Sequence, residues 1–228
     1  MFANKNYETK PGFSISSNIN YLVVTEKDLF MMREIMRAVR VTLILWIITA
    51  VIYPLVLLII GQVGFSYQAN GSLLKSKQGE VIGSALIGQK FTSDKYFLGR
   101  PSTTNYSSFS EKERDPKKVE QKTGTSGGSN LAPSNPDLLK QIQERVETLT
   151  KANIKPTADL LYTSASSLDP HISIDAAKSQ MERVAKERNL PKNQIETLIS
   201  QYTDGRFLGI FGEPGVNVLK LNLALDSL

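Results

Sequence analysis

His171 is the one histidine of this 228-residue chain, and it sits in Asp169-Pro170-His171 a few residues after the hydroxyl cluster Ser164, Ser166 and Ser167. Serine and histidine together are the ingredients of nucleophilic hydrolysis, but no nucleophile-elbow spacing accompanies them. A lone histidine in a chain without cysteine also makes a poor zinc site, so structural hydrogen bonding is the expected role of His171. The absence of cysteine removes disulfides, thiolate metal sites and cysteine nucleophiles together. Thr125-Ser126-Gly127-Gly128-Ser129-Asn130 has the glycine content of a phosphate-cradling loop without the lysine or the strand-to-helix setting of one. Gly99-Arg100-Pro101-Ser102 places a guanidinium beside a rigid turn. It would bind an anion or pair with a carboxylate on a partner, or remain a turn with a solvated arginine.

The element that must position this chemistry is a membrane anchor. From Val41 to Ile60 there is no charged residue, and about twenty residues at about 1.5 Å each match a hydrocarbon layer about 30 Å thick. The run is too long for the apolar stretch of a signal peptide, and no small-x-small cleavage site follows it. Arg33, Arg37 and Arg40 crowd its N-terminal flank, whereas the next basic residue after it is Lys75. That asymmetry predicts a cytoplasmic N-terminus and an extracytoplasmic C-terminal domain, periplasmic where an outer membrane exists. Pro54 removes a backbone donor and predicts a kink, and the lack of ionisable groups gives the span no ion site of its own. Residues 1–32 are expected to be a cytoplasmic extension, either a disordered tail or a matter of start-site choice, with Met31 and Met32 directly before the basic flank.

The formal net charge is +5, but six basic and four acidic residues precede Val41, leaving 21 and 18 after it. So even a balance does not make a phosphate-tracking surface, and nucleic acid is excluded as a partner. Residues 33–62 are assigned to the span with its flank and 63–228 to one mixed domain of α+β class. Within that domain Val81 to Phe91 predicts a strand and turn, and 103–135 an exposed loop. Asn135 and Pro136 predict a capped helix, with Leu138, Leu139, Ile142, Val146 and Leu149 at helical spacing. Asp159 to Thr163 predicts a strand. A second helix is expected after Ser173 with Arg183, Lys186 and Arg188 away from its packed face, and a third from Pro191 to about Tyr202. The run Val216, Val218, Leu219, Leu221, Leu223 and Leu225 predicts a final strand.

Six stretches in order resemble the C subunit of the Kdp-type potassium-transporting P-type ATPase. They are Gly83 to Gln89, Tyr96 to Ser102, Ser126 to Leu131, Leu168 to Ser173, Gln180 to Ala185 and Gly215 to Leu219. Ser167 stands where the family usually has glycine, which puts a turn geometry in question. The resemblance implies a non-catalytic membrane subunit whose partners are a channel-like potassium-binding subunit, a P-type ATPase subunit and a small membrane subunit, within surrounding lipid. It implies that the complex uses ATP and K+, with no cofactor assigned to this chain. It also implies a stabilising role in assembly, and a catalytic-chaperone role raising ATP affinity with Gln180 as a nucleotide contact. The outward topology conflicts with that contact, because ATP is cytoplasmic. Arg100, Asp169, His171 and Arg183, all within the matching stretches, are the candidates for partner contact. A membrane-anchored hydrolase built on Ser164 to His171 and an anchored solute-binding domain are the alternatives from other classes.

Overall fold

The computed structural model describes residues 26–76, 78–109, 117 and 124–228, which divide at Ile60/Gly61 into two compact units. Residues 1–25 of the proposed N-terminal extension, and much of the expected loop, lie outside the described residues, whereas residues 26–32 of that extension are helical. The first unit is the membrane helix: α1 (Glu26–Ile47), a π-helical turn (Ile48–Ile52) and α2 (Tyr53–Gly64), which runs on into the second unit. Together they form 39 residues of unbroken helix. Among the described residues, every one from Glu26 to Ile60 is exposed. Pro54 explains the π turn. With no N–H at that position the regular ladder lacks a bond, and the Tyr53 N–H instead reaches back five residues to the Ile48 carbonyl.

The second unit opens with α3 (Ser66–Ala69) and the antiparallel pair β1 (Leu73–Lys75) and β2 (Val81–Ser84). Then come α4 (Pro136–Lys151), α5 (Ala158–Leu161), β3 (His171–Ile172), α6 (Ile174–Arg188), α7 (Lys192–Gln201), β4 (Thr203–Asp204), β5 (Gly215–Asn217) and α8 (Val218–Leu225). The sheet order is β3-β5-β4, antiparallel throughout, with Val216 opposite both Ile172 and Thr203. Phe97, Ile172, Val184, Ile195, Val216 and Leu221 lie in one buried core. The mixture of helices and short antiparallel strands is α+β, as expected.

Local signals placed α4, α6 and α7. Asn135 caps α4 by accepting from the Asp137 N–H at 2.8 Å, and Ser173 caps α6 through the Ala176 N–H at 3.2 Å. Asn189, in the left-handed region at φ 52°, ends α6, and Pro191 is the N-cap of α7.

Three expectations are corrected. The last strand stops at Asn217, whose side chain accepts from the Lys220 N–H at 3.1 Å and starts α8. The alternation of leucines with Lys220 and Asn222 imitated a strand because Asn222 is a buried polar residue on the packed face of a helix. Asp159 to Thr163 is not a strand but contains most of α5, with Leu160 buried. Arg183 and Arg188, expected away from the core, have side chains only 7% and 13% exposed.

Candidate functional site: a clamped segment and its arginine

The segment 94–100 belongs to no sheet, so its carbonyls need other partners. Side chains of α6 and α8 supply them. Arg183 donates to the Asp94 carbonyl and, at 2.9 Å, to that of Tyr96. Arg188 Nε donates to the Lys95 carbonyl at 2.7 Å. Asn222 brackets Phe97, accepting from its N–H at 2.8 Å and donating to its carbonyl at 3.0 Å. Gln180 brackets Leu98 in the same way at 2.7 and 3.1 Å. Five consecutive carbonyls are thus held by side chains, a substitute for a strand ladder that leaves this segment's course dependent on four residues.

Gln180 is fully buried, and its amide is saturated: the oxygen also accepts from Arg183 at 3.1 Å and the nitrogen also donates to the Ala176 carbonyl at 3.3 Å. Burial pushes the Arg183 guanidinium below its usual range, against the opposing pull of Asp94 and Glu187. Arg188 also spans to the chain end, donating to the Leu225 carbonyl at 2.8 Å and to Asp226 at 2.7 Å while lying over the Tyr96 ring.

Arg100 leaves the clamp at its C-terminal end. Its Nη1 lies 3.2 Å from Asp169 and 3.9 Å from Asp159. Asp159 in turn accepts from the Ser173 N–H at 2.7 Å, and Asp169 from the His171 N–H at 3.0 Å. The Arg100 carbonyl accepts from the Tyr106 hydroxyl. Burial, with Asp169 nearby, raises the Tyr106 pKa to about 12. His171 pairs through Nε2 with Asp204 at 2.8 Å, and Lys220 lies 3.7 Å from the same carboxylate. Arg100, Asp169 and His171 are therefore brought together at a partly exposed surface, whereas Arg183 and Gln180 lie inside, holding it up.

The serine cluster is divided between supports. Ser167 holds φ 58°, the left-handed geometry that a glycine would adopt freely. Its hydroxyl offsets the strain, accepting from the Thr103 N–H at 2.9 Å and donating to the Gly127 carbonyl at 2.6 Å. Gly127 N–H and Ser126 Oγ both donate to the Ser166 carbonyl at 3.0 Å, which pins this part of the 103–135 region to the domain, with Gly127 half-buried and Ser126 exposed. The Thr125 and Gly127 backbone groups are spent on protein partners. Among the described residues no group of three His, Asp or Glu side chains is placed to hold a metal.

Sequence reasoning passed over Asn222 and Tyr106 and put Arg188 on the solvent face. A polar residue interrupting the apolar run 216–225 was the available signal for Asn222.

The phenol makes a measurable prediction. Folding raises its pKa from the ordinary 10.0 to about 12, so the folded state holds the proton more tightly. The resulting stability is complete below pH 10, is lost as pH rises through the window from 10 to 12, and amounts to about 2–3 kcal/mol. Denaturation of the full chain in detergent at pH 9 and pH 11.5 should show this loss, and Tyr106→Phe should abolish that part of the alkaline dependence.

The family model for the K+-transporting ATPase c chain, KdpC, matches residues 35–227, covering the span and the whole clamped domain. The chain belongs to the KdpC family. Three relatives agree, each a potassium-transporting ATPase KdpC subunit. That of Microcystis aeruginosa is 59% identical over 208 residues, 86% of this chain and 96% of the relative. KdpC subunit 1 of a Nostoc species is 58% identical, with the same coverage of each chain. The Synechocystis subunit is 55% identical and is covered completely by 86% of this chain. The matched region holds every residue of the KdpC clamp, from Asp94 through Gln180 and Arg183 to Asn222.

Proposed function

We propose that this chain is the accessory subunit of a high-affinity, ATP-driven potassium uptake complex. It contributes no catalytic group and stabilises the assembly of a channel-like potassium-binding subunit, a P-type ATPase subunit and a small membrane subunit. The observation that carries this reading is the use of its chemistry-bearing side chains. Gln180 and Arg183 spend their hydrogen bonds fixing one backbone segment, and Arg100 and His171 pair with carboxylates of the same chain. Such an arrangement makes a rigid shape for a partner to bind. The arginine flank supports a position outside the cytoplasm, where the shape would cover the outer mouth of the channel-like subunit and influence potassium entry.

The same placement gives Gln180 a latching role. A nucleotide contact would require it to release Leu98 and Arg183 and the domain to face the cytoplasm, and raising ATP affinity through Gln180 depends on both. Protease treatment of sealed, right-side-out vesicles carrying the intact complex tests the topology. Cleavage of the 61–228 domain from outside is the expected result, leaving assembly and potassium entry as its roles. Protection that vanishes only on lysis would overturn the outward placement and restore the nucleotide role.

A further inference from the structure

The connection between β4 and β5 carries the most exposed apolar cluster of the domain. Phe207, Leu208, Ile210 and Phe211 are 71, 73, 72 and 61% exposed. Nothing about the turn is loose. The Phe207 N–H donates to the Phe211 carbonyl at 2.8 Å, and the Phe211 N–H returns the bond at 3.0 Å. The Gly209 and Ile210 amides donate to the Arg206 and Phe207 carbonyls at 3.0 and 3.2 Å. Arg206 Nη2 closes the base against both oxygens of Glu213, at 3.0 and 2.9 Å. Leu208 sits in the left-handed region at φ 53°, a conformation leucine resists. A strained turn that holds four large apolar side chains in water gains nothing from folding alone, and an apolar cluster on a rigid convex tip is the geometry of an interface anchor.

We propose that the 207–211 tip docks into an apolar groove on the extramembrane surface of another subunit of the same transport complex. The inference rests on the assembly role argued above but not on which face of the domain covers the channel mouth. Charge selects protein over lipid. The base of the tip carries both signs, and the Arg206 cation is spent on both oxygens of Glu213 rather than offered to anionic headgroups. An apolar centre with a rim of mixed charge is the anatomy of a protein interface, and paired phenylalanines suit its desolvated core. Size explains why a partner subunit is the occupant. Four such side chains bury several hundred Å², short of the roughly 800 Å² per partner of a free-standing interface. A chain already held in the complex by its span needs no more, because the tether makes the second contact effectively intramolecular.

The test is photo-crosslinking in native membranes with the photoreactive p-benzoylphenylalanine in place of Ile210 in the full-length chain. An adduct with the mass of this chain plus a different subunit is expected. Phe207→Asp with Phe211→Asp should lower recovery of the co-purified complex by about tenfold, with the domain's melting temperature unchanged. An adduct with lipid, an adduct of two copies, or no adduct in a complex that still co-purifies would overturn the docking tip while leaving the assembly role intact. Failure of the unaltered chain to co-purify with other subunits would instead remove the assembly role on which the tip depends.

Discussion

Gln180→Leu is expected to destabilise the 61–228 domain by about 3–5 kcal/mol, although the two side chains are close in size. Leucine leaves the Leu98 N–H and carbonyl without partners inside the protein and removes an acceptor from the buried Arg183. Each buried polar group left unpaired costs about 1–3 kcal/mol, more beside a charge. Denaturation of the full-length chain in detergent, followed by far-ultraviolet circular dichroism, measures the total. The one tryptophan, Trp46, lies in the span and does not report on this domain. Amide exchange at Phe97 and Leu98 gives the local answer. Both amides should exchange faster in Gln180→Leu, because the bracket that holds one residue aligns the next. Unchanged protection at Leu98 with unchanged stability would show that the amide clamp does not hold this segment in solution.

The second large effect is steric. A Cβ added at Gly88 would stand 2.6 Å from the Asp169 carbonyl and 3.0 Å from the Tyr106 ring, so Gly88→Ala must push backbone or a buried aromatic ring. The expected cost is about 3 kcal/mol, at the upper end for overpacking. The displaced Asp169 should also weaken the pairing that holds Arg100. Gly83→Ala is the control. Its Cβ would meet Gln89 Nε2 at 2.1 Å, a nominally closer approach, but that atom ends a flexible side chain. Rotation of Gln89 sacrifices one bond to the Ile82 carbonyl and should limit the loss to about 1 kcal/mol. If thermal melts rank Gly83→Ala as the costlier change, backbone crowding at Gly88 is not what holds residues 85–89 against 168–170.

Several elements are legible in the order of residues because their causes are local. The span follows from composition over twenty residues, since a helix without covering must find lipid. The starts of α4 and α6 follow from Asn135 and Ser173, because a cap needs only the next two or three amides. The ordered motifs led to the right family for a related reason: they include the turns and clamp residues that one backbone course requires.

The failures are equally specific. The run 216–225 satisfies both a period of two and a helical face. It is a helix because Asn222 must point inward to hold Phe97, a residue 125 positions away along the chain. Arg183 and Arg188 looked solvated because arginine usually is. They turn inward because the strandless stretch 94–96 offers carbonyls that these two long donors on α6 reach.

Sequence order alone, then, carried the anchor, the starts of α4 and α6, and the family, while α5 and α8 were misread as strands. The folded domain decided the burial of Gln180, the meeting of Arg100 with Asp169 and Asp159, and the exposure of the 207–211 tip. Those depend on which unsatisfied backbone groups and which apolar faces come together in space, and partners distant in sequence leave no local periodicity to read.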